Sequence, residues 1–154
     1  MTAQDIISKL SLEPLEGEGG FFRRVLTFSS GVSDLGGSIY YLITPQSFSA
    51  LHLLPSDEAW YFLEGDPVEQ LVLHPDGSHS LTTLGKVSDG HSAIALIEGG
   101  CYQGTRLVNT RGWALCATAM CPPFDWNSFV LADDSIVQRY PDCSLVNDFL
   151  AKGV

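Results

Sequence analysis

From Ser38 to about Gly112 the chain is written as short apolar runs broken by turn residues, and this alternation constrains the fold more than any other feature. The runs Ser38–Ile43, Phe48–Leu53, Glu58–Leu63, Val68–Leu73, Ser80–Leu84 and His91–Ile97 are strand-like in composition, and turn residues separate them. Their close spacing predicts an all-β sandwich or barrel. His74-Pro75-Asp76-Gly77 puts Pro where a turn fixes φ and Gly where it needs φ > 0, so Val68–Leu73 and Ser80–Leu84 are expected to pair as a hairpin. The same reasoning predicts a second hairpin, Thr105–Val108 with Gly112–Met120, around Asn109-Thr110-Arg111-Gly112. Cys121-Pro122-Pro123 then ends the sheet.

The flanks read differently. Thr2 followed by Asp5 predicts a capped amphipathic helix through Ile6, Ile7 and Leu10 that stops near Ser11. The acidic, Gly-rich stretch from Glu13 to Gly20 breaks regular structure, and Phe21 to Phe28 reads as a first strand. Near the other end, Asp134–Tyr140 and Ser144–Ala151 carry apolar residues at helical spacing with Pro141-Asp142 between them. With 154 residues the expected organisation is a single domain over 1–154. Within it, 1–20 is a helical and Gly-rich segment, 21–121 the barrel and 122–154 a helical appendage.

Charge narrows the partners. Eighteen acidic residues against eight Lys and Arg give a formal charge of −10, which repels phosphate backbones and anionic membrane surfaces, so neither nucleic acid nor membrane is an expected partner. No apolar run approaches the ~20 residues that span a bilayer, and the first residues lack the pattern of a signal peptide, so a cytoplasmic location is expected. Cys101, Cys116, Cys121 and Cys143 form no C-x-x-C pair and read as reduced, mostly buried thiols. No nucleophile elbow or phosphate loop is present, which removes serine-hydrolase and nucleotide-hydrolase readings.

Strand alternation gives the segment from His52 to Gly65 its chemistry. His52 and Leu54 share one face, as do Glu58, Trp60 and Phe62, and as do Cys101, Gln103 and Thr105. If those faces point into a small barrel, His52, Glu58 and Gln103 converge among apolar side chains, the usual composition of a ligand pocket. The competing reading is a buried His52–Glu58 pair that satisfies only itself. Trp60 is the best candidate to stack on a ligand ring, with Tyr40 as a further aromatic, and Arg23 or Arg24 is placed to hold a carboxylate or phosphate if it faces inward. His74, His79 and His91 lie in or near turns and carry no motif.

The segment His52-Leu53-Leu54-Pro55-Ser56-Asp57-Glu58, with Gly65 seven residues on, resembles the first cupin motif, and Glu98-Gly99-Gly100-Cys101-Tyr102-Gln103 echoes the second. Together with Ser38 to Pro45, Leu63-Glu64-Gly65-Asp66-Pro67 and Pro122-Pro123-Phe124-Asp125-Trp126, the order and spacing resemble the small fifth family of cupins, a former domain of unknown function. The resemblance implies a double-stranded β-helix, or jelly-roll, barrel with short N- and C-terminal helices, and a homodimer. It does not imply an established reaction. Leu54 and Gln103 stand where the cupin pattern has metal-binding histidines, so neither a metal nor another cofactor is expected. Two functions follow for the pocket: a metal-independent epimerase or isomerase acting on a sugar-like substrate through His52 and Glu58, or a non-catalytic protein that binds or senses a metabolite.

Overall fold

The computed structural model describes residues 1–152. Its N-terminal helix α1, Ala3–Leu10, starts as the sequence predicts: Thr2 and Asp5 exchange side-chain and backbone hydrogen bonds in a capping box, and Ser11 ends the helix in a left-handed conformation. Strands β1 (Glu13–Pro14), β2 (Phe21–Ser29), β3 (Asp34–Ile43), β4 (Ser49–Leu53) and β5 (Glu58–Gly65) come next. They are followed by β6 (Val68–Leu73), β7 (His79–Leu84), β8 (Ile94–Ile97), β9 (Tyr102–Leu107), β10 (Ala114–Met120) and β11 (Val130–Leu131). One sheet has the order β1-β2-β3-β10-β5-β8 and the other β11-β4-β9-β6-β7, with antiparallel pairing within each. Two facing antiparallel sheets in this order form a jelly-roll barrel.

The hairpin around His74–Gly77 forms in the expected register, from Val68↔Leu84 to Leu73↔His79. The second predicted hairpin does not form. β9 pairs with β4 and β6, whereas β10 lies in the other sheet between β3 and β5. The connection from Val108 to Trp113 therefore crosses from sheet to sheet. Asp66 anchors the crossing, because its amide donates to the Trp113 carbonyl at 2.8 Å and its carboxylate accepts from the Trp113 amide at 3.3 Å.

Period-2 alternation divides the side chains between three cores. Tyr41, Ile43, Trp60, Phe62, Val68, Leu107 and Cys116 fill the barrel interior. On the outside of one sheet, Leu42 and Leu115 receive Ile6 from α1 and Leu12 from just beyond its end. On the outside of the other, Leu51, Leu71 and Leu73 are covered by the C-terminal segment through Ile136, Tyr140, Val146 and Phe149. That segment is less helical than its periodicity predicts. Only Ile136–Arg139 forms an α-helix, α2, and Val146–Phe149 a 3-10 turn, since four-residue pieces held by burial need not continue as helix. Phe149 is fully buried over Gly104, where an added Cβ would stand 3.0 Å from its ring, and the Arg106 guanidinium lies 4.8 Å from the ring centre. Phe149→Ala is expected to cost about 3–5 kcal/mol, read as a lowered urea midpoint at unchanged slope, as for other large-to-small core changes. A midpoint within error of the parent would show that the C-terminal segment is not part of the cooperative fold.

Candidate functional site

The Gly-rich stretch after β1 does more than break regular structure: it carries Glu18 into the barrel, where the residue is only 7% exposed. The loop is held by Gly19 N–H to Leu15 O at 2.9 Å, Leu15 N–H to Gly20 O at 3.0 Å and Ala50 N–H to Glu18 O at 3.1 Å. Gly20 has φ +72°, and a Cβ there would stand 2.5 Å from the Tyr41 ring, so the close approach of loop to barrel requires glycine. Inside, Glu18 Oε2 accepts from the Tyr41 hydroxyl at 2.5 Å and from the Ser49 hydroxyl at 2.9 Å. A β-bulge between Ser49 and His52 inserts a residue into β4 relative to β9, and Ser49 and His52 both reach Glu18.

His52, 2% exposed, has its Nδ1 2.7 Å from the Ala50 carbonyl, and its Nε2 3.6 Å from Glu18 Oε1. A carbonyl only accepts, so Nδ1 carries a proton and Nε2 is the ring position left for proton exchange. The His52 ring stacks on Phe129 at 5.4 Å. Glu58 enters from β5 beside Thr118 and opens onto the same chamber. Burial pushes its carboxyl above the usual range and the Glu18 charge pushes the same way, while His52 and the nearby polar side chains of Thr118 and Gln103 offset part of the rise. The Tyr41 phenol is raised well above its ordinary value, chiefly by burial and then by Glu18. The self-satisfied His52–Glu58 pair is not what forms: the carboxylate in ion-pair range of His52 is Glu18.

These groups line a chamber of about 190 Å³ whose apolar wall includes Leu15, Ile39, Leu54 and Met120. Trp60 is 1% exposed, lies edge-on to Tyr41 at 5.5 Å and donates its indole N–H to Gln103 Oε1 at 3.2 Å. It walls the chamber, and Gln103 sits behind it, buried and outside the lining. At the mouth Phe124 and Trp126 meet at right angles 4.7 Å apart, and Trp126 is 54% exposed. Glu18 also forms part of a second cavity, bordered by Phe48 and Lys152 on the far side of the loop.

Besides Gln103, two residues assigned to the site from sequence lie outside the lining. Tyr40 points out of the barrel toward α1, where it packs near Leu42, because its neighbours Ile39 and Tyr41 take the inward face. Arg23 likewise faces α1 and donates to the Leu10 carbonyl at 3.0 Å, whereas Arg24, one residue on, lines the chamber. Among the chamber residues that sequence reasoning did not place there are Glu18 and the aromatic pair Phe124 and Trp126. At the two positions where the cupin pattern has histidines, Leu54 offers no donor and Gln103 Oε1 accepts from Trp60. Glu18, His52 and Glu58 share the chamber, but among the described residues no three His, Cys, Asp or Glu side chains are grouped so as to hold a metal ion. Cys116, the one cysteine within the barrel core, is raised by burial to about 12 and is no nucleophile.

A family profile described as "Cupin superfamily (DUF985)" matches residues 4–132. No curated protein matches the chain. Among solved structures, the chain is similar to a protein from Shewanella oneidensis at 27% identity, covering 99% of each chain with a TM-score of 0.87. It is also similar to a hypothetical protein from Leishmania major at 24% identity, covering 99% of this chain and 100% of that one with a TM-score of 0.86. A mutant oxalate decarboxylase of Bacillus subtilis shares the fold at 15% identity, covering 92% of this chain and 36% of its own, with a TM-score of 0.62.

The raised Glu58 carboxyl has a measurable consequence. Because its folded-state value lies above its unfolded one, the native state binds the proton more tightly, and its contribution to stability is lost as pH rises from the ordinary carboxylate range through the raised value. Glu58→Gln, which stays neutral, is therefore expected to gain stability relative to the parent over that window and to lose the gain at lower pH. Melting curves of both proteins across pH 3.5–8 test this, and a difference independent of pH would refute the assignment.

Proposed function

The chain belongs to the cupin superfamily (DUF985), and on that premise we propose that its barrel chamber binds a small polar metabolite and moves a proton on it without a metal. The observation that carries this reading is the buried group Glu18, His52, Glu58 and Tyr41 within an otherwise apolar cavity. Each buried polar group that lacks a partner costs ~1–3 kcal/mol, and a barrel serving stability alone is filled by aliphatic residues. The chemistry suits an epimerase or isomerase of a sugar-like substrate. His52 Nε2 removes a proton from the carbon next to a carbonyl and delivers it to the former carbonyl carbon, while the neighbouring hydroxyl gives up its proton to Glu58 and becomes the new carbonyl. Glu58, favoured in its neutral form, donates to the carbonyl oxygen as negative charge develops there. Glu18 faces the same imidazole at 3.6 Å and orients it. At about 190 Å³ the chamber is below the ~300–1,000 Å³ of drug-sized sites, so it suits a monosaccharide-sized reacting group.

Screening the full chain by thermal shift against monosaccharides, their acids and phosphates, followed by proton-exchange NMR in D2O, tests this. A hit whose carbon-bound proton exchanges in the parent, with the rate falling at least 100-fold in His52→Ala that still folds and still binds the hit, is the expected result. Binding without exchange would assign the chamber to metabolite storage or sensing instead. No binding, with His52→Ala lowering stability alone, would remove the reading altogether.

The reading includes a cytosolic homodimer. Among the described residues no helix is long and apolar enough to cross a membrane. β1 pairs only with Phe21 and Phe22, which leaves the outer edge of β2 from Arg23 onward unpaired beside the exposed Leu26, Phe28 and Leu35. An unpaired apolar edge is a template for a second copy of the chain. Light scattering at micromolar concentration is expected to give twice the 16.7 kDa chain mass, and a monomer mass throughout would overturn the dimer.

A further inference from the structure

Arg24 differs from the other arginines of the strands and helices in having no partner within the fold. Arg23 donates to the Leu10 carbonyl, Arg106 pairs with Glu69, and Arg139 lies over Tyr102. Arg24 makes no hydrogen bond or ion pair among the described residues, although acidic residues outnumber Lys and Arg 18 to 8. Its placement is nevertheless specified by the backbone. A β-bulge at Val25, between Arg24↔Ile39 and Leu26↔Ser38, follows it immediately, and bulges re-aim neighbouring side chains. The guanidinium then crosses β3 at Gly37, where an added Cβ would stand 2.2 Å from Nη1. Gly37 and Arg24 both line the chamber. Any larger residue at 37 displaces the cation from that wall.

The electrostatics of the chamber are therefore bipolar. Glu18 and Glu58 lie inside, and the chain as a whole carries −10, so an anion is repelled from the inner end and from the protein at large. Arg24 is exposed on another part of the lining and presents a planar fork of donors matched to a carboxylate or a phosphate. A neutral ligand leaves that fork unused, and a ligand charged at both ends is opposed by the carboxyls. We propose that Arg24 is an anion anchor, and that the chamber takes a ligand bearing one carboxylate or phosphate at Arg24 and an uncharged hydroxyl or carbonyl at Glu58 and His52. This rests on the chamber being the ligand site, and it narrows the substrate class to acidic or phosphorylated derivatives.

The test uses matched probes that differ in charge: glucose, glucuronate and glucose 6-phosphate, with 4-hydroxybenzamide and 4-hydroxybenzoate as a second pair. Binding to the full chain is followed by NMR through the indole N–H signals of Trp60 and Trp126. The expected result is that at least one anion of each pairing binds ten-fold or more tighter than its neutral partner and weakens as salt is raised. Arg24→Gln is expected to remove that preference at unchanged melting temperature, while Arg23→Gln retains it. Glucuronate against glucose 6-phosphate then decides between carboxylate and phosphate. Chamber binding in which neutral and anionic partners are equal, or which Arg24→Gln leaves intact, would overturn the anchor and leave the ligand site standing. If none of the probes perturbs either indole at millimolar concentration while Arg24→Gln is also silent, the ligand-site reading and the anchor fall together.

Discussion

Taking a carboxylate out of water costs several kcal/mol unless its oxygens are met, and the way Glu18 is met organises this molecule. Its Oε2 receives two hydroxyls, from Tyr41 on β3 and Ser49 on β4, which belong to opposite sheets. Its Oε1 faces His52. One loop residue thus ties the two halves of the barrel together at the chamber, and the same residue charges it. Loop and barrel are mutually dependent: without Gly20 the loop does not fit against Tyr41, and without the loop two buried hydroxyls lose their acceptor.

The chamber follows from that constraint. Two carboxyls near one imidazole cannot be indifferent to one another, and Glu58, which is buried and next to the Glu18 charge, is the one pushed toward its neutral form. A carboxyl raised by burial thus stands in the same chamber as a histidine whose tautomer is fixed by a backbone carbonyl. What is shared with oxalate decarboxylase is the fold alone; the arrangement rests on Glu18, His52 and Glu58 of this chain.

Much of the barrel was legible because strands and turns are local. Alternation put His52 with Leu54, and Glu58 with Trp60 and Phe62, on common faces, and Pro75-Gly77 announced its hairpin. What alternation leaves undetermined is which face is the inner one. That ambiguity explains why Tyr40 was placed at the site when its neighbour Tyr41 lines it, and why Arg23 and Arg24 could not be told apart until the inward face was known. The Asn109–Gly112 turn misled for a related reason: turn chemistry specifies a reversal of the chain but not the sheet to which the next strand returns. Glu18 was invisible because it sits in a loop and its partners are 23 to 34 residues away in sequence. A charged residue in a Gly-rich stretch ordinarily reads as solvated.

Glu18 forms part of two cavities, the chamber on one side and the space bordered by Phe48 and Lys152 on the other. One side chain is therefore a shared wall: its front meets Tyr41, Ser49 and His52, and its loop backs onto the second space. Shortening Glu18 would join two spaces that the carboxylate now keeps apart, so the size and shape of the chamber are set by a loop residue as much as by the strands.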